Sequence, residues 1–158
     1  MAIEVYPRLH VGSESDCRRG SDTLAVVHAC KSPCHQRYVG YRGSLKPDHP
    51  NYLILRQGYD LVLNLIDPPQ PLFKLASFVA YLEFADEIWK AGGSLLVHCN
   101  QGESRAPSLV LLFMAKRLNL LPADSFEDAA RQFLPLYPRY SPGQGIRTYL
   151  SRNWTDIG

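Results

Sequence analysis

Three short apolar runs constrain this chain more than any other feature: TLAVVHA (23–29), LVLNLI (61–66) and SLLVH (94–98). Each is apolar with little alternation. That is the pattern of a strand buried on both faces, as found in parallel sheets with covered faces. Elsewhere the apolar residues recur at helical spacing. Leu75, Phe78, Val79, Leu82, Ala85, Ile88 and Trp89 mark one amphipathic helix over 72–89, ended by Gly92-Gly93. A second, strongly apolar helix is predicted over 104–118. Pro107 falls in its first turn, where amides are unpaired anyway. A third starts near Asp124-Ser125, runs through FEDAARQFL and stops at Pro135, and a short last helix follows Pro142. At the start, EVYPRLHVGS (4–13) reads as two short strands, or a strand and a turn. The alternation predicts an α/β fold with a central, mostly parallel, twisted sheet flanked by helices. At 158 residues, a single domain over 1–158 is expected. Residues 30–60 form a long segment rich in basic, aromatic, Gly and Pro residues. Such a segment is usually functional or carries short elements of its own.

Composition closes off several function classes. A net charge of +2 is too small for bulk nucleic-acid binding. No apolar run approaches the roughly 20 residues of a membrane span. MAIEVYPRLHVGS has no basic stretch followed by an apolar one, so no signal peptide is expected. A cytoplasmic monomer follows as the expectation, with its four cysteines as thiols.

The chemistry concentrates in VHCNQGESRAPS (97–108). A strand ends at His98 and a helix begins six residues later. The turn between them needs the backbone freedom of Gly102. The amides of Asn100, Gln101, Gly102, Glu103 and Ser104 can point inward as an anion-binding nest, backed by the positive helix end. Arg105 adds a planar fork for two phosphate oxygens. Cys99 sits at the base of this cradle, where the same groups favour its thiolate and make it a nucleophile. Ester cleavage also needs an acid at the same rim of the sheet, the C-terminal end of the strands. Asp67 follows strand 61–66 there, stiffened by Pro68 and Pro69. Asp60 precedes that strand, roughly 20 Å away at about 3.3 Å per residue.

HCNQGESR matches the Cys-x5-Arg signature of protein tyrosine phosphatases, in a form that resembles the dual-specificity branch. YPRLHVGSESD, GGSLLVHC and YSPGQGIRTYL are similar to segments of the same domains, so the resemblance covers nearly the whole chain outside 30–60. It is closest in character to the small atypical bacterial and bacteriophage type. The resemblance implies a protein tyrosine phosphatase-like fold and a phosphocysteine intermediate. It also implies a phosphorylated protein substrate carrying phosphotyrosine, and phosphoserine or phosphothreonine as well. Asp67 lies 32 positions before Cys99, similar to the acid's spacing in that family. His98 is implied to hydrogen-bond the loop backbone. No cofactor or metal is implied. Other substrates for the same chemistry are an RNA 5′-triphosphate or a phosphoinositide, and a non-catalytic phosphate-binding module is a further alternative.

One departure stands out. Many family members carry Ser or Thr after the arginine, where the hydroxyl steadies the cysteine thiolate; here that residue is Ala106. Ser104 and Ser108 are the hydroxyls that could compensate. Gln101 could hold the attacking water, and Glu103 is expected to face outward. After strand 23–29, His28, Lys31, His35 and Arg37 cluster as a candidate substrate-recognition surface. His28, Cys30, Cys34 and His35 fit no standard zinc spacing, so no metal is expected.

Overall fold

The computed structural model describes every residue from Met1 to Gly158. Six strands make one sheet: β1 (Ile3–Tyr6), β2 (Leu9–Gly12), β3 (Leu24–His28), β4 (Ile54–Gln57), β5 (Asp60–Leu63) and β6 (Ser94–His98). Their order is β1-β2-β6-β3-β5-β4. The four inner strands run parallel, and β1 and β4 pair antiparallel at the edges. The sheet is therefore mixed, with the parallel centre that the apolar runs predict.

Helices α2 (Leu75–Lys90), α3 (Arg105–Lys116), α4 (Phe126–Phe133) and α5 (Gln144–Asn153) follow the expected segments closely. Ser125 caps α4, its hydroxyl accepting from Asp128 N at 3.1 Å, with Glu127 and Asp128 complementing the helix dipole. α3 is buried from Arg105 to Ala115, because it lies against β2 and β6 with α2 and α4 beside it. That position explains its nearly unbroken apolar sequence.

Strand alternation divides the sheet's side chains. Ala25, Val27, Leu61, Leu63, Leu95 and Val97 join residues of α2 to α5 in one apolar core. Val26, His28, Val62, Leu96 and His98, also buried, occupy the alternate positions. On that side His28 and His98 meet Cys17, Cys34 and Tyr38, so the cover comes from segments flanking β3.

One expectation is corrected here. The strand predicted over 61–66 ends at Leu63. Its partner β3 has ended at His28, opposite Val62, and the Asn64 side chain donates instead to Tyr52 O at 2.8 Å. Residues 30–60 carry short elements of their own, as the length of the segment suggests. They contain a π-helical turn (Lys31–His35), the short α1 (Gln36–Val39) and β4, which forms a hairpin with β5.

Candidate active site

Strand β6 and helix α3 deliver the loop 99–104 to the C-terminal rim of the parallel strands, where such sheets bind ligands. Cys99 is 2% exposed at its base. Four consecutive loop carbonyls are tied away from the centre. Asn100 O accepts from Glu14 N (2.9 Å) and Gln101 O from Arg139 Nη2 (3.2 Å). Gly102 O accepts from the Tyr137 hydroxyl (2.5 Å) and Glu103 O from Ser141 N (2.8 Å). In a planar trans peptide the N–H points opposite to the C=O. Turning those carbonyls out therefore turns the amides of 101–104 in. None of the amides of residues 100–105 has an acceptor within the protein. This is the anion nest expected from the sequence, with its geometry set from outside.

Gly102 is required twice. Its φ is +74°, and a Cβ there would sit 3.0 Å from Gly12 O. The loop thus packs against the end of β2 as tightly as a glycine allows.

Arg105 is 9% exposed and clamped. Nη1 donates to Leu65 O (2.9 Å) and Nη2 to Asn100 Oδ1 (2.7 Å), while Nε is buried without a protein partner. Asn100 is held in turn, donating to Glu14 Oε1 (2.7 Å) and Ser32 O (2.8 Å). The guanidinium is therefore fixed before any ligand arrives.

Asp67 shares the same cavity, about 310 Å³, with Cys99, Asn100, Gln101, Glu103, Ser104, Arg105 and Ser141. Ser104 Oγ donates to Asp67 Oδ1 (3.1 Å) and accepts from Gly143 N (2.8 Å). Asp67 lies beyond β5 on an extended segment seated on the start of α5. Gly145 N donates to Pro68 O at 3.2 Å, and a Cβ at Gly145 would collide with the carbonyls of Pro68 and Gln70. A methyl group at 145 must therefore displace the segment carrying the carboxyl. Gly145→Ala is expected to lower kcat by about 10²-fold, the cost of misplacing a reacting group by about 1 Å, with cysteine alkylation unchanged. Steady-state kinetics beside the iodoacetamide rate of Cys99 checks this.

Asp60, the competing acid, lies outside the cavity. It is buried, accepting from Gly20 N (2.9 Å) and lying 2.7 Å from His28 Nε2. His98 Nδ1 lies 3.3 Å from Cys99 O, so its ring does contact loop backbone. Burial, with His28 alongside, holds His98 down at about 4, and the ring is neutral near pH 7.

The recognition surface expected from His28, Lys31, His35 and Arg37 does not assemble. His28 and His35 are fully buried, so neither meets a substrate. His28 points into the sheet face away from α2–α5, and His35 contacts the Tyr41 hydroxyl (2.6 Å) and Asn51 O (2.8 Å). Lys31 lines a separate cavity with Asn64, Ile66 and Lys74, and Arg37 another with Arg18 and Arg19. Glu103 is part-exposed and lines the active cavity. Neither hydroxyl offered as a substitute for Ala106 is free. Ser104 is engaged as above, and Ser108 lies 2.8 Å from the Tyr140 hydroxyl. Sequence reasoning missed Tyr137, Arg139 and Ser141, which hold the loop carbonyls; only the punctuated run YPRYSPG hinted at a structured loop there.

No family model matches the chain. Among curated proteins, the dual specificity protein phosphatase 1 of Arabidopsis thaliana is 29% identical over 84 residues, covering 53% of this chain and 39% of the relative. The protein-tyrosine-phosphatase IBR5 of the same plant is 29% identical over 123 residues, covering 68% and 48%. The chain thus spans less than half the length of either relative. Solved structures align over almost the whole chain. A human tyrosine phosphatase-like serine/threonine/tyrosine-interacting protein gives TM-score 0.67 at 20% identity, covering 98% of this chain and 96% of that one. Human DUSP28 gives 0.64 at 20% identity, covering 99% and 94%. The chain thus has the fold of dual-specificity and protein-tyrosine phosphatases.

Proposed function

We propose that this chain is a cysteine-dependent protein phosphatase of dual-specificity type, acting on phosphotyrosine and on phosphoserine or phosphothreonine. One observation carries the reading: Cys99, Arg105, Asp67 and the unpartnered amides converge on a single cavity. The Cys99 thiolate attacks phosphorus as the P–O bond breaks, and the Asp67 carboxyl gives its proton to the leaving oxygen. A water, held by Gln101, then attacks the phosphocysteine. Asp67 takes its proton, and the P–S bond breaks to return the thiolate. Arg105 and the loop amides stabilise the equatorial oxygens throughout, with no reorganisation required.

The cavity lining also bears on substrate. It contains no aromatic side chain, so it grips the phosphate more than the group that carries it. That favours broad acceptance of phosphotyrosine, phosphoserine and phosphothreonine. Arg105 is the single cation of the lining, against the carboxyls of Asp67 and Glu103. Such a charge balance counts against an RNA 5′-triphosphate or a phosphoinositide, whose further phosphates would meet no second base within the lining. Four free cysteines suit a reducing compartment such as the cytoplasm, and no helix is long and apolar enough to cross a membrane. Turnover of an aryl phosphate, followed by a panel of phosphotyrosine, phosphoserine and phosphothreonine peptides, tests the proposal. Inertness on every one of these would remove it.

Ala106 is fully buried, and neither Ser104 nor Ser108 replaces the missing hydroxyl, each being engaged elsewhere. Hydrolysis of the phosphocysteine is therefore the expected slow step. A hydrogen bond to a charged group contributes roughly 1.5–3 kcal/mol. Ala106→Ser is accordingly expected to raise steady-state turnover by about tenfold or more. Stopped-flow assays should show a burst of leaving group in the wild type that shrinks in the variant. An unchanged rate with no wild-type burst would place the slow step elsewhere.

A further inference from the structure

We propose that Cys17, His28, Cys34 and His98 bind one zinc ion directly behind the phosphate loop. This site is independent of the phosphatase reading and uses none of its reacting groups. Four donor atoms converge there: all lie within 4.8 Å of one another. The two sulfurs are 3.8 Å apart, and Cys17 Sγ is 3.5 Å from His28 Nδ1. Cys34 Sγ is 3.9 Å from His98 Nε2, and the two ring nitrogens are 2.8 Å apart. Tetrahedral zinc, with Zn–S about 2.3 Å and Zn–N about 2.0–2.1 Å, sets these edges at roughly 3.8, 3.5 and 3.3 Å for S–S, S–N and N–N. The S–S edge and the Cys17–His28 edge already fit, and the Cys34–His98 edge has to shorten by about 0.4 Å. The nitrogens need to part by about half an ångström.

Proton counting gives a second, separate argument. The outer nitrogen of each ring faces an oxygen: His28 Nε2 lies 2.7 Å from Asp60 Oδ1, and His98 Nδ1 lies 3.3 Å from Cys99 O. Two neutral imidazoles carry two protons. If both serve the oxygens, the inner nitrogens meet lone pair to lone pair at 2.8 Å. Three contacts thus compete for two protons. A cation between the inner nitrogens resolves the conflict and leaves each outer N–H donating to its oxygen. That outer pattern, one carboxylate and one backbone carbonyl, is the usual support of metal-bound histidines.

The sheet explains how the site forms. His28 and His98 are register partners at the ends of the adjacent strands β3 and β6, so both rings leave the same face at the same level. Cys34 comes from the π-helical turn, and Cys17 follows the short 3-10 helix Glu14–Asp16. Two thiolates and two imidazoles in a tetrahedron select zinc among common divalent ions. Cys17 is half-buried and lines a cavity of about 400 Å³ with Arg18, Arg19, Arg37, Tyr38 and Gln57, so one donor of the four is open to solvent. Binding would release the two thiol protons and tie four separate segments together. It would also fix the His98 N–H on Cys99 O.

Wild-type protein, purified without chelators or histidine tag, is expected to contain one zinc per chain by inductively coupled plasma mass spectrometry. Cys17→Ser and Cys34→Ser should lose it. Cys30→Ser should keep it, since that thiol lies outside the cluster. Cobalt exchanged for zinc should show the visible bands of a tetrahedral ion and thiolate charge transfer, both absent in Cys17→Ser. Should the variants fail to fold, wild-type stoichiometry and the cobalt spectrum decide alone. Folded, reduced wild type that takes up neither zinc nor cobalt would overturn the proposal. So would a Cys17–Cys34 disulfide in protein purified anaerobically.

Discussion

Replacing Cys99 by serine is expected to reduce aryl phosphate turnover by about 10⁴- to 10⁶-fold, the range seen when a catalytic nucleophile is removed. A serine hydroxyl has no base positioned to activate it here. The cavity lining offers carboxyls at Asp67 and Glu103, but Asp67 is committed to the leaving group. Oxyanion affinity should survive, because the amides and Arg105 are held by Glu14, Tyr137, Arg139, Ser141 and Leu65, none of which hydrogen-bonds the thiol. Tungstate binding measured by calorimetry beside turnover separates the two effects. Turnover within tenfold of wild type would remove the covalent mechanism. Loss of both turnover and tungstate binding would mean that the sulfur also holds the loop together.

The second large effect is expected at Asp67. Asparagine keeps the shape and can still accept from Ser104 Oγ, so the segment on α5 should stay in place. What disappears is the proton. General acid catalysis contributes about 10²- to 10⁴-fold, and most where the leaving oxygen is most basic. Asp67→Asn should therefore lower kcat/KM, which reports the step in which the leaving group departs, near the upper end of that range for a phosphoserine peptide. For an aryl ester with a weakly basic leaving group the loss should be near the lower end. Comparing the two substrates in one variant is the measurement. Equal losses on both would assign Asp67 a positioning role only.

Much of this arrangement can be read from the sequence. The uninterrupted runs at 23–29, 61–66 and 94–98 mark inner strands because only doubly covered strands are apolar at successive positions. The step from Cys99 to Arg105 is legible because a strand, a tight turn and a helix start leave few alternatives. Strand β4 was hidden by its edge position. Arg56 and Gln57 are exposed there, so no apolar run advertises it, although Gln57-Gly58-Tyr59-Asp60 is a serviceable hairpin turn. His28 was misplaced for another reason. Lying at the end of a strand suggests the ligand rim, but alternation after Val27 sends its side chain into the opposite face. The parallel endings LAVVH and SLLVH carry that information, yet only a known register shows that the two histidines touch. Tyr137, Arg139 and Ser141 act on the loop through contacts 35 to 38 positions away, which no local pattern encodes.

The outward-tied carbonyls of residues 100–103 carry a further consequence for selectivity. A cradle assembled in advance spends nothing on recognising its guest and responds to the tetrahedral oxyanion alone. Ester and released phosphate present nearly the same face to it, so the pocket floor cannot tell substrate from product. On the proposed function, discrimination among phosphorylated partners then falls to the surface around the mouth, where Gln101, the Asp67 segment and Ser141 meet solvent. Partner choice in this chain can therefore drift with its rim while the chemistry beneath stays fixed.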